Sequence, residues 1–159
     1  MANIDIVSID VTVAFKYKKD DTSFTNKLIC WWTKSRFYHC ELIIGNKWIS
    51  SNPDDGGVTI KDLKPLNDNW EYYKLPTIKL TKVQFDRIIS WIKSQSDKKY
   101  DWYGLIMSTV FKLNWHNDNK WFCSEIITTI LKFMLVNEVL NLTPNNVTPG
   151  DLARALNFN

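Results

Sequence analysis

Apolar residues alternate with polar ones from Ile4 to Phe15, with Asp10, Thr12 and Ala14 on the second face and a phase slip near Val7-Ser8. This period of two predicts a strand. Lys16 to Thr25 is polar and reads as a loop, and Leu28-Ile29-Cys30-Trp31-Trp32 is an apolar run of undecided type. Phe37 to Ile44 predicts a second strand, turning at Gly45-Asn46 into Lys47 to Ser51, so the two form a hairpin. The turn formers of Asn52-Pro53-Asp54-Asp55-Gly56-Gly57 lead to a strand at Val58-Thr59-Ile60, and another covers Trp70 to Leu75, ending at Pro76.

Helical spacing takes over in the second half of the chain. Thr81 and Gln84 stand in capping-box register before Phe85, Ile88, Ile89 and Ile92, predicting a helix to about Ser96. A short apolar helix follows Tyr100-Asp101-Trp102-Tyr103-Gly104, then a polar loop holds His116. Phe122, Ile126, Ile127, Ile130, Leu131 and Met134 make one face of the next helix, with Cys123 in its first turn. Thr148-Pro149-Gly150-Asp151 is an N-cap for a last short helix, Leu152 to Leu156. Strands first and helices afterwards give the α+β class, as one domain over 1–159 to which residues 1–10 add an N-terminal strand.

Composition narrows the function classes. The chain has 159 residues, 45% of them hydrophobic, enough for a core without metal or disulfide support. A net charge of +3 with no long block of either sign gives no reason to expect a nucleic-acid partner. Three cysteines without a C-x-x-C pair argue against a disulfide framework or a zinc site and for a reducing compartment, the cytoplasm. Asp5 and Asp10 interrupt the N-terminus where a signal peptide is basic and then apolar, and no transmembrane segment is expected. Richness in Lys, Asn and Ile suggests an AT-rich coding source such as a phage, which makes host cytoplasm or virion the corresponding location.

The candidate chemistry lies in Trp121-Phe122-Cys123-Ser124-Glu125. A cysteine in a first helical turn feels the positive end of the helix dipole, which favours thiolate, and the unpaired amides there can hold an oxyanion. On composition alone, a small buried hydrophobe is the better reading of Cys123. A nucleophile needs a base, and His39 in Tyr38-His39-Cys40-Glu41-Leu42 is the strongest candidate. Strand alternation puts His39, Glu41 and Ile43 on one face and Tyr38, Cys40, Leu42 and Ile44 on the other, so Cys40 reads as structural. Glu41 is the first choice to orient the imidazole, with Ser51 as the auxiliary candidate beside Ser50 and Asn52. His116, in its polar loop, is the competing base and reads more simply as a solvated residue.

Taken in order, Phe37-Tyr38-His39-Cys40-Glu41-Leu42-Ile43-Ile44, Ser50-Ser51 ahead of Gly56-Gly57-Val58, Tyr100-Asp101-Trp102-Tyr103-Gly104, Trp121-Phe122-Cys123-Ser124-Glu125 and Thr148-Pro149-Gly150-Asp151-Leu152 resemble the circularly permuted NlpC-like (YiiX-like) branch of the papain-like superfamily. That branch includes phage-encoded proteins, poxviral relatives and, more distantly, lecithin retinol acyltransferase. The resemblance implies a central antiparallel sheet with the His strand early and the Cys helix late. It makes Cys123 the nucleophile and His39 the base. The third position falls on Glu41 by the closer phage-like pattern and near Ser50 or Ser51 by the more distant members.

The implied activity is a thiol hydrolase of an amide, isopeptide or other acyl bond, on a peptide, peptidoglycan-like or acyl substrate, with no cofactor or metal. An acyltransferase of the same fold is the alternative. A non-catalytic binding or virion-associated module, using Trp31, Trp32, Trp102 and Trp121 as a recognition surface, is the reading from a different class.

Overall fold

The computed structural model describes residues 8–17, 23–101, 104 and 119–158. Its strands are β1 (Ile9–Tyr17), β2 (Phe37–Ile44), β3 (Lys47–Asn52), β4 (Gly57–Asp62), β5 (Trp70–Leu80), β6 (Lys99–Tyr100) and β7 (Lys120–Trp121). They form one sheet in the order β5-β1-β2-β3-β4-β6-β7, antiparallel except for the parallel β6–β7 pair. The helices are α1 (Phe24–Thr33), α2 (Lys82–Ser94), α3 (Cys123–Phe133) and α4 (Pro149–Ala155). The chain is therefore α+β, with strands concentrated in the first half.

One face of the sheet carries the core. Val11, Val13, Phe15, Cys40, Leu42, Ile44, Ile49 and Val58 meet Ile126, Ile127, Ile130 and Leu131 of α3, Ile92 of α2 and Leu152 of α4. All four of those α3 side chains are fully buried, and each contributes roughly 1.5–3 kcal/mol of burial. The opposite face holds a smaller cluster, Ala14, Ile43 and Trp48 under Trp70 and Tyr72.

Local signals placed most of these elements. Thr81 caps α2 reciprocally with Gln84, and Thr148 caps α4 with Asp151, as their spacing predicts. Two elements differ. The run Leu28–Trp32 belongs to α1, a helix with no buried residue, whose apolar side chains therefore give no core-facing pattern to read. Pro76 does not end β5, which continues to Leu80. The strand lies at the sheet edge, where a missing N–H removes no ladder bond, and the register against β1 slips between Thr12↔Lys74 and Asp10↔Lys79. The short helix expected after Gly104, the His116 loop and the slip at Val7 lie outside the described residues.

Candidate active site

β2 supplies two of the three residues of the site, and an irregularity at its start decides how they sit. Lys16 pairs with His39 and Tyr17 with Phe37, so Tyr38 is the extra residue of a bulge. The bulge breaks the alternation: Phe37 joins the core with Cys40, whereas His39 is absent from it and lies 5.9 Å from Trp70 of the other face, the two rings tilted at 58°. The β2–β3 ladder runs only from Ile44↔Lys47 to Leu42↔Ile49, although β3 continues to Asn52. Beyond Leu42 the two strands are no longer paired.

Glu41 is the hub of the opposite face. Its Oε1 accepts from Ser50 Oγ at 2.6 Å and meets His39 Nε2 at 3.0 Å, while Oε2 accepts from Trp48 Nε1. With Nε2 held by the carboxylate, Nδ1 is the ring atom left for the thiol. The His39 side chain is 12% exposed and that of Glu41 9%, so the pair is shielded from water without being sealed.

Cys123 arrives from the other side of the sheet on the first turn of α3. Phe122 is the extended N-cap, and Ile126 N–H to Phe122 O, at 3.3 Å, opens the helical bonding. The amides of residues 123 to 125 therefore stay outside the helical ladder. Glu125 folds back so that its Oε2 accepts from Phe122 N–H at 3.5 Å. Three contacts fix the approach: Ser51 Oγ and Asp101 N–H donate to Trp121 O at 2.8 and 3.1 Å, and Ser124 Oγ donates to Val147 O at 2.5 Å. Gly57 makes room for β6 beside it, since a Cβ there falls 2.2 Å from Lys98 O.

The electrostatics favour an ionised pair. Hydrogen bonding from the Cys40 thiol, followed by the charge and hydrogen bond of His39, holds Cys123 well below its usual 9.0 against the opposing effect of burial. Burial disfavours the His39 cation, but the Cys123 thiolate and then Glu41 outweigh it and raise the imidazole from 6.5 to about 10. Burial, together with the charge of the neighbouring Cys123, pushes the Tyr100 phenol up, so it stays protonated.

Cys123, His39 and Glu41 are thus brought together. Pairing a helix-borne Cys123 with His39 calls for the helix to pack across the His39 face of β2, but α3 lies on the Cys40 face, and the two residues interact beside the stretch where β2 and β3 cease to pair. Cys40, expected to be only structural, touches the nucleophile candidate itself. Ser51 does not orient the imidazole but ties β3 to Trp121, while Ser50 holds Glu41. Tyr100 and Trp48 were not singled out for the site, because their contacts cross strands with no local spacing to announce them. Of the tryptophans, Trp121 is buried and donates to Gln95, Trp31 and Trp32 are exposed, and Trp102 and His116 lie outside the described residues.

An open cleft of about 290 Å³ leads in from α1 and the Pro53 turn, lined by Thr25, Asn26, Ile29, Asn52, His39 and Tyr100. The last two of these touch Cys123, which is itself only 1% exposed. The chain matches no protein-family model, no curated protein and no solved structure. Among the described residues no group of three or more His, Cys, Asp and Glu could hold a metal ion, and no helix is long and apolar enough to cross a membrane. Of Cys123, His39 and Glu41, His39 is the one that lines this cleft.

Proposed function

We propose that the chain is a cysteine hydrolase of amide, isopeptide or other acyl bonds, built on the permuted NlpC-like plan that its ordered motifs resemble. The observation that carries this reading is the chain of contacts from Glu41 through His39 to a low-pKa Cys123 at a helix start. Cys123 thiolate attacks the acyl carbon, forming the C–S bond as the carbonyl π pair moves to oxygen. First-turn amides and the Tyr100 hydroxyl are the donors assigned to that oxygen. When the tetrahedral adduct collapses, the C–N or C–O bond breaks and the His39 imidazolium gives its proton to the leaving group.

Neutral His39 then takes a proton from water, whose oxygen displaces the thiolate and releases the acid. An acceptor alcohol or amine in place of water turns the same thioester toward acyl transfer. Glu41 holds the ring through Nε2 and stabilises its charged form in each half-reaction.

The test is acyl trapping with p-nitrophenyl acetate, read by intact-protein and peptide mass spectrometry. A single acetyl group on Cys123, removed by hydroxylamine and absent from Cys123→Ala, is the expected result. Acetyl groups scattered over lysines, with none on Cys123, would contradict the reading.

A further inference from the structure

The side chains of α1 are arranged the wrong way round for a helix stabilised only by its own protein. Phe24, Leu28, Trp31 and Trp32 share the spacing of one helical face, and they are 79%, 42%, 70% and 41% exposed. The opposite side presents Thr25, Asn26 and Ile29 to the cleft. No residue of the helix is buried. The two indoles touch each other edge to face at 5.7 Å and so form one aromatic patch.

We infer that α1 is an interfacial helix that lays the protein on an anionic lipid surface. Charge selects this occupant. From Ser23 to Arg36 the sequence contains Lys27, Lys34 and Arg36 and no acidic residue. Lys27 and Lys34 are exposed, with no ion-pair partner among the described residues, while Arg36 is neutralised by Glu71 at 2.7 Å. An apolar stripe of Phe, Leu and Trp flanked by exposed lysines suits the boundary between acyl chains and anionic headgroups, where the rings lie in the interface and the ammonium groups meet phosphates. A second copy fits less well, because a self-complementary contact through this face sets the basic flank against the basic flank.

The position of the helix gives the contact a consequence. With its outer side in the lipid and its inner side in the cleft wall, α1 brings the cleft to the membrane surface. The inference is independent of catalysis and holds whether or not Cys123 is a nucleophile.

Co-sedimentation of the full chain with vesicles tests it, comparing pure phosphatidylcholine with phosphatidylcholine containing about a third phosphatidylserine. The chain should bind the anionic vesicles, Phe24→Ser/Trp31→Ser should weaken that binding at least tenfold, and Lys27→Glu/Lys34→Glu should abolish the preference for phosphatidylserine. Cys123→Ala should bind as wild type, as should Val83→Ser, which removes an exposed apolar side chain elsewhere. Light scattering on the same samples reads the competing occupant. Absence of vesicle binding, binding unchanged in Phe24→Ser/Trp31→Ser, or a dimer that this double variant dissociates overturns the inference.

Discussion

Cys40 and Cys123 share the buried core, and interaction with the Cys40 thiol is the largest of the influences that lower the Cys123 pKa, from the residue that follows His39 in the same strand. Strand alternation places Cys40 on the face that α3 covers and His39 on the other, and both influence one sulfur beside the stretch where β2 and β3 cease to pair.

Removing that thiol should therefore change reactivity more than stability. Cys40→Ala raises the Cys123 pKa toward the ordinary thiol range, so its alkylation at pH 6 should slow about tenfold, since each pKa unit is tenfold in thiolate below the pKa. At pH 9.5 the variant should approach wild type. Stopped-time alkylation across that range checks it, and equal rates at pH 6 would remove Cys40 from the account.

Glu41 separates geometry from folding. Glu41→Ala leaves Ser50, Trp48 and His39 without their shared buried acceptor and should cost about 3 kcal/mol, roughly 6–12 °C in Tm for a domain of this size. Glu41→Gln keeps an acceptor but removes the charge, and should lose at least tenfold in acyl hydrolysis with a smaller change in Tm. Thermal melts and steady-state rates on both variants distinguish the two effects.

For the proposed mechanism, the pH profile of turnover follows from the two shifts. Cys123 is depressed, so activity rises on an acid limb as the thiolate forms. His39 is raised from 6.5 to about 10, so the proton for the leaving group is present through neutrality and lost as pH passes about 10, where activity should fall. Glu41 is one of the groups that raises His39, and Glu41→Gln should therefore move the alkaline limb downward. An unshifted limb in that variant would separate the carboxylate from the imidazole.

Much of this arrangement was legible because its signals are local. The capping residues Thr81 with Gln84 and Thr148 with Asp151, the Gly45-Asn46 hairpin and the α3 apolar face each sit within a few residues of what they determine. The pairing of His39 with Glu41 was also legible, since i and i+2 of a strand share a face. What escaped was non-local. Trp48 and Ser50 reach Glu41 from the neighbouring strand, Tyr100 comes beside Cys123 through the pairing of β6 with β7, and the side on which α3 covers β2 is set by packing far along the chain. Pro76 misled because an edge strand tolerates it, and α1 stayed undecided because its apolar face points outward.

Gly57 offers a test of how β6 is held. Its φ of +143 and the 2.2 Å approach of a Cβ to Lys98 O mean that Gly57→Ala must displace the strand carrying Tyr100, at a cost of about 1–3 kcal/mol. Gly56→Ala meets nothing within 4 Å and should cost less, despite a φ of +78. Denaturant unfolding of the two variants compares them, and equal losses would contradict the close packing of β4 on β6.

The central claim is that His39 activates Cys123, and the most direct measurement is site-resolved iodoacetamide labelling by mass spectrometry at pH 6.5 on wild type and His39→Ala. Cys123 should label fastest of the three cysteines in wild type and slow at least tenfold in His39→Ala, with Cys30 unchanged. Equal, slow labelling of Cys30, Cys40 and Cys123, indifferent to His39, would contradict it.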